Sequence, residues 1–179
     1  MFAHTVPSRT RSTFRVLGID PGLTRCGYAV LDGRSGRSAT AVSMGVISTP
    51  PGDALPQRLA ALRLEFTDLI AEFRPDAVAV EQVFFQVNVR TAMSVGQASG
   101  LALAEAAIAG CEVVQYTPNQ VKDAVAGYGS ADKAQVQKMV QVRLGLSTLP
   151  RPADAADAAA VALCHLAMAP LTRRVRDSA

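Results

Sequence analysis

Val16-Leu17-Gly18-Ile19-Asp20-Pro21-Gly22 reads as a short buried β-strand that ends in a carboxylate. Val16, Leu17 and Ile19 suit an extended, half-buried backbone. Pro21 and Gly22 then stop the strand and turn the chain. Asp20 is left at the edge of a hydrophobic sheet, where a charge is unfavourable unless a cation compensates it. A metal ion would do so, and further carboxylates stand in matching positions along the chain.

Working outward, Phe14–Asp20, Cys26–Asp32 and Thr40–Ile47 form a strand meander with glycine-containing links, Gly33 and Gly36 marking the second turn. Pro50, Pro51 and Gly52 break it. Leu55, Leu59, Leu62, Phe66, Leu69 and Ile70 then recur at helical spacing, which predicts an amphipathic helix over 55–73. Asp76–Glu81 is a second buried strand that ends in a carboxylate. Asn88–Ala109 reads as a helix rich in small residues, with Gly96 and Gly100 on one face. Glycine weakens a helix by roughly 1 kcal/mol per residue, so a close contact is expected there, with the sheet or with a second subunit. Cys111–Tyr116 is a strand, and Pro118–Ala126 and Ala131–Leu144 are helices, Ser130 being the expected N-cap of the latter. Asp154–Met168 is an alanine-rich final helix. This order predicts an α/β fold, a mixed five-stranded sheet with helices on both faces. Residues 1–13 are expected to be a flexible extension, 14–170 the folded domain and 171–179 a basic flexible tail.

The 179 residues suit one domain with a full core. A formal charge of +3 and a pI near 9.0 permit a polyanionic partner. No apolar run is long enough to span a membrane, and the N-terminus lacks a signal-peptide core. The expected location is therefore the cytoplasm. Cys26, Cys111 and Cys164 are expected to be buried thiols, since they have neither disulfide nor metal-ligand spacing.

Asp20 and Glu81 end two strands, and Asp154 and Asp157 lie three apart at the start of the last helix, where the macrodipole favours them. Singly, each acid has an ordinary reading as a turn, cap or first-turn residue. If the strands are neighbours and the helix start abuts them, four carboxylates converge. All-oxygen ligands suit Mg²⁺ or Mn²⁺.

Gly18-Ile19-Asp20-Pro21-Gly22, Val80-Glu81-Gln82-Val83-Phe84, the run from Gly127 to Gln137 and the run from Pro152 to Ala158 resemble, in order and spacing, the motifs of the RuvC family of Holliday-junction resolvases. The resemblance covers about Phe14 to Ala169. It implies the RNase H-like fold and a homodimer that cuts four-way DNA junctions, leaving 5′-phosphate and 3′-hydroxyl ends. It also implies Asp20, Glu81, Asp154 and Asp157 as catalytic metal ligands, two Mg²⁺ ions per site with Mn²⁺ able to substitute, and coupling to a RuvA–RuvB branch-migration machine. Lys122 and Lys133 match family lysines that contact DNA, and Phe84 matches an aromatic that stacks on junction bases. Phe85 falls between core and DNA, and Lys138 and Arg143 extend a basic face. Ser99 stands where relatives usually carry Arg. Arg9, Arg11 and Arg15 precede or open the family core.

Three other readings fit parts of this pattern. An ATP-dependent phosphotransferase of the actin or sugar-kinase type shares the first loop, but needs two such domains. A catalytically silent junction-binding scaffold has no use for the acid cluster. Phe84 and the Lys133 motif weigh against a related nuclease acting on RNA.

Overall fold

The computed structural model describes residues 13–33, 39–82 and 89–176, and for 89–91 and 170–176 it describes the backbone alone. The elements are β1 (Phe14–Asp20), β2 (Arg25–Gly33), β3 (Ala39–Ser48), α1 (Leu55–Phe73), β4 (Ala77–Glu81), α2 (Val89–Ile108), β5 (Glu112–Tyr116), α3 (Pro118–Ala126), α4 (Lys133–Leu144) and α5 (Ala153–Arg176). The strands form one five-stranded sheet in the order β3-β2-β1-β4-β5. β1 pairs antiparallel with β2 and parallel with β4, and β4 pairs parallel with β5. The mixed sheet expected from the strand and helix order is therefore present.

The two faces of the sheet differ in side-chain size, because successive strand residues point to opposite sides. Leu17, Ile19, Val30, Val78 and Val80 pack with Leu62, Phe66, Leu69 and Ile70 of α1 and Ala98, Ala102 and Ala106 of α2. The other face carries Val16, Ala29, Leu31 and Ala79, which pack with the alanines of α5 and with Val125 of α3 and Val140 of α4. On that second face Gly18 and Gly27 allow α5 to lie almost on the strands. A Cβ at Gly18 would meet the Ala158 carbonyl oxygen, and one at Gly27 would meet the carbonyl oxygen of Asp154. The alanine-rich composition of α5 has the same cause, since Ala155, Ala156, Ala158, Ala159, Ala160 and Ala162 are all buried.

Several local expectations change. The N-cap of α4 is Asp132, which forms a reciprocal capping box with Gln135, while Ser130 lies two residues earlier and is exposed. A carboxylate that the following glutamine can answer is the better cap here. α5 runs on through Arg176, so 171–176 are helical where a loose tail was expected. A Cβ at Gly96 or Gly100 would meet nothing within 4 Å, so the close contact expected at these glycines is not made within the described chain. Cys26 and Cys164 are buried free thiols, but Cys111 is only half-buried, with Sγ 3.4 Å from the Pro75 carbonyl oxygen.

Candidate active site

The alternation along each strand decides where the acids point. Residues 16, 18 and 20 of β1 share a face, as do 77, 79 and 81 of β4. That face is the one covered by α5. In the β1–β4 register Ile19 lies opposite Val80, which brings Asp20 level with Glu81 at the strand ends. Gly27 seats the backbone of Asp154 against β2, and Asp157 follows one turn further along α5. Sheet register and helix approach together thus gather Asp20, Glu81, Asp154 and Asp157 at one end of the sheet.

Their electrostatics show the gathering directly. The Asp20 carboxyl is pushed up to about 8, first by burial and then by the charges of Glu81, Asp157 and Asp154, with Lys133 opposing. Glu81 is raised as well, by burial and by Asp157, while a hydrogen bond with Asp20 and the charges of Lys133 and Lys122 pull it back. The strand-borne acids therefore share a proton-binding environment, as expected for carboxylates crowded out of water. The two helix-borne acids instead have cationic partners. Lys133 Nζ is 2.6 Å from Asp157 Oδ2, and Arg25 Nη2 is 2.7 Å from Asp154 Oδ2. The Asp157 contact raises the Lys133 ammonium above its ordinary value. Lys133 occupies the first position of α4, where the macrodipole disfavours a cation, and Asp157 offsets that.

Among the described residues, no three side chains of metal-ligating type are already spaced around an ion. The donor set nevertheless fits a hard divalent cation. It is made of carboxylate oxygens, and burial and neighbouring acids raise two of the groups, a strain that a cation would relieve.

The other expected residues fall unequally. Lys122, partly buried on α3, lies close enough to Glu81 to act on its charge. Lys138 and Arg143 are exposed on α4. Phe84 and Phe85 fall within 83–88, outside the described residues, as do Arg9 and Arg11. Ser99 is buried on α2. Arg15 is committed elsewhere. It stands at the opposite end of β1 from Asp20, with Nε 2.7 Å from Asp32 Oδ1 and Nη1 2.9 Å from the Phe73 carbonyl oxygen. Sequence reasoning passed over Arg25 and Gly27. The signal for both was their parity with Ala29 and Leu31 on β2.

The sequence matches the family model described as Crossover junction endodeoxyribonuclease RuvC over residues 16–165. The chain belongs to the RuvC family. The crossover junction endodeoxyribonuclease RuvC of Salinispora arenicola (strain CNS-205) is 57% identical over 152 residues, which are 85% of this chain and 87% of the relative. RuvC of Parafrankia sp. (strain EAN1pec) is 53% identical, over 90% of this chain and 91% of its own length. Among solved structures, Thermus thermophilus RuvC in complex with a Holliday junction substrate superposes with a TM-score of 0.85 at 39% identity, covering 89% of this chain and 96% of that one. The yeast mitochondrial Holliday junction resolvase Ydc2, at 16% identity and a TM-score of 0.68, shares the fold. The RNase H-like architecture expected from the motifs is thus shown, and the family is one of metal-dependent nucleases.

Proposed function

We propose that this chain resolves four-way DNA junctions by paired hydrolysis of phosphodiester bonds at the Asp20, Glu81, Asp154 and Asp157 site, leaving 5′-phosphate and 3′-hydroxyl ends. The convergence of these four carboxylates on the α5 face of the sheet carries the reading. Asp20 and Glu81 would hold divalent ions from the strand ends, and Asp154 and Asp157 would close the site from the helix. Two Mg²⁺ ions, with Mn²⁺ able to substitute, would supply activation of the attacking water and stabilisation of the leaving 3′ oxygen. Lys133 and Lys122 flank the acids and would hold the phosphates on either side, a salt-dependent contribution. Phe84 follows Glu81 in sequence and would stack on an unpaired base, which is worth about 1–3 kcal/mol.

A four-way junction has two strands to cut, and a homodimer supplies two symmetric sites. The small-residue face of α2, open around Gly96 and Gly100, is our candidate for that interface. Residues 14–170 form the nuclease unit in this reading, working in the cytoplasm with a RuvA–RuvB complex. No helix among the described residues is long and apolar enough to cross a membrane.

The test is cleavage of a synthetic junction beside a linear duplex of the same sequence, across several core sequences, with Mg²⁺, Mn²⁺ or EDTA. Paired nicks in the junction alone, lost in EDTA, are the expected result. Tight junction binding with no cutting under either metal would overturn the proposal in favour of a scaffold.

A further inference from the structure

Arg25 has no role in the reading above, yet it touches the site directly. It opens β2 and shares the parity of Gly27, so it lies on the α5 face. Nε and Nη2 both donate to Asp154 Oδ2, at 3.0 and 2.7 Å. The Arg25 side chain is 50% exposed and that of Asp154 29%, so the pair lies at the mouth of the site rather than under it. A guanidinium stays charged at any working pH. Its two donors fill acceptor positions on one carboxylate oxygen that an ion would need.

We propose that Arg25 is an internal counter-cation of Asp154. It donates to Oδ2 and would have to be displaced by a divalent ion bound there, so it sets the ion affinity of the site. The inference rests on the reading of Asp154 as an ion ligand. It also divides the site in two. Asp20 and Glu81 are crowded carboxylates that gain from an incoming ion, whereas Asp154 exchanges one cation for another. Lys133 stands in the corresponding relation to Asp157, but it also adjoins the phosphate path proposed above. Arg25 is therefore the cleaner position to test.

The measurement is Mn²⁺ binding to the full-length, ion-stripped protein without DNA, by calorimetry at low ionic strength. Arg25→Ala removes a competitor, and an exposed ion pair of ordinary strength corresponds to a Kd lowered by about 1.5-fold to 5-fold. Arg25→Gln keeps the stem of the side chain and should tighten Mn²⁺ binding in the same direction. It is the variant to read if Arg25→Ala does not give a wild-type circular dichroism spectrum. An arginine that merely braced β2 against α5 would weaken ion binding when removed, so an unchanged or higher Kd in the folded variants overturns the proposal. Asp154→Asn separates the two levels. If it weakens Mn²⁺ binding while the Arg25 variants do not tighten it, the Arg25 role fails and the ion site stands. If Asp154→Asn leaves Mn²⁺ binding untouched, the ion-ligand reading fails and the Arg25 role falls with it. In the Asp154→Asn background, Arg25→Ala should have no further effect, as the cycle for a direct pair requires.

Discussion

The two ends of β1 hold similar residue types and treat them differently. At the N-terminal end, Asp32 receives two prongs of Arg15, through Nε at 2.7 Å and Nη2 at 2.9 Å. Asp76 there accepts the Arg15 backbone N–H at 2.6 Å, and the third guanidinium nitrogen, Nη1, donates to the Phe73 carbonyl. At the C-terminal end, Asp20 and Glu81 are buried and crowded by further acids, and both carboxyls are raised. A carboxylate whose lone pairs are answered within the fold contributes to stability. Carboxylates forced together without an answer store an unfavourable interaction that a ligand can relieve. The first end behaves as a clasp and the second as a site.

The largest expected effect breaks the site and spares the clasp. Asp154→Asn should retain junction binding and lose cleavage by about 10³-fold, since the charge stabilisation at stake is several kcal/mol. Single-turnover cleavage of a labelled junction, with a binding assay alongside, checks it. Normal cutting by this variant would remove Asp154 from the catalytic set.

Next comes the floor beneath the site. Gly27→Val would push against the backbone of Asp154 and displace the start of α5. Overpacking of this kind costs about 1–3 kcal/mol. Urea unfolding should report that loss, and cleavage should fall further than the stability change alone explains.

Breaking the clasp should do the reverse. Arg15→Ala removes both guanidinium donors to Asp32, in a pair whose side chains are only about one-fifth exposed, and keeps the backbone N–H that Asp76 accepts. Loss of charge-assisted hydrogen bonds predicts about 1.5–3 kcal/mol of destabilisation. Cleavage by the folded fraction should be unchanged at temperatures well below its melting point.

A pH profile sharpens the contrast. Folding raises Asp20 from an ordinary 3.8 to about 8. Between those values the folded state holds a proton that the unfolded chain releases, so stability falls as pH rises through this window. Ion-stripped Asp20→Asn should therefore show a shallower decline of Tm between about pH 4 and pH 8 than the unsubstituted protein. Its advantage should be greatest near pH 8. Identical pH profiles would show that Asp20 is not crowded.

Local sequence determined a large share of this protein. The apolar runs Val16–Ile19 and Ala77–Val80 gave the two strands that carry Asp20 and Glu81, because a buried strand needs only a short continuous apolar stretch between turn residues. Helical spacing from Leu55 to Ile70 set α1 to the residue. The order of strands and helices was enough for the mixed sheet, and the motifs around the four acids were enough for the family. Boundaries that depend on competing caps were not fixed in this way, as Asp132 in place of Ser130 shows. Nor was the end of α5: Pro170 reads as a stop signal just past Met168, yet the helix runs on through Arg176.

Only the tertiary structure decided which face the acids share and how α5 reaches it. Parity along β1 and β4 has meaning once the strands are in register. The close approach of α5 depends on Gly18 and Gly27 lying under Ala158 and Asp154, residues more than a hundred positions away. The pairing of Asp154 with Arg25 likewise spans 129 positions. Such contacts arise from sheet pairing and packing, which act through space, whereas a sequence pattern reports only the nearest few residues.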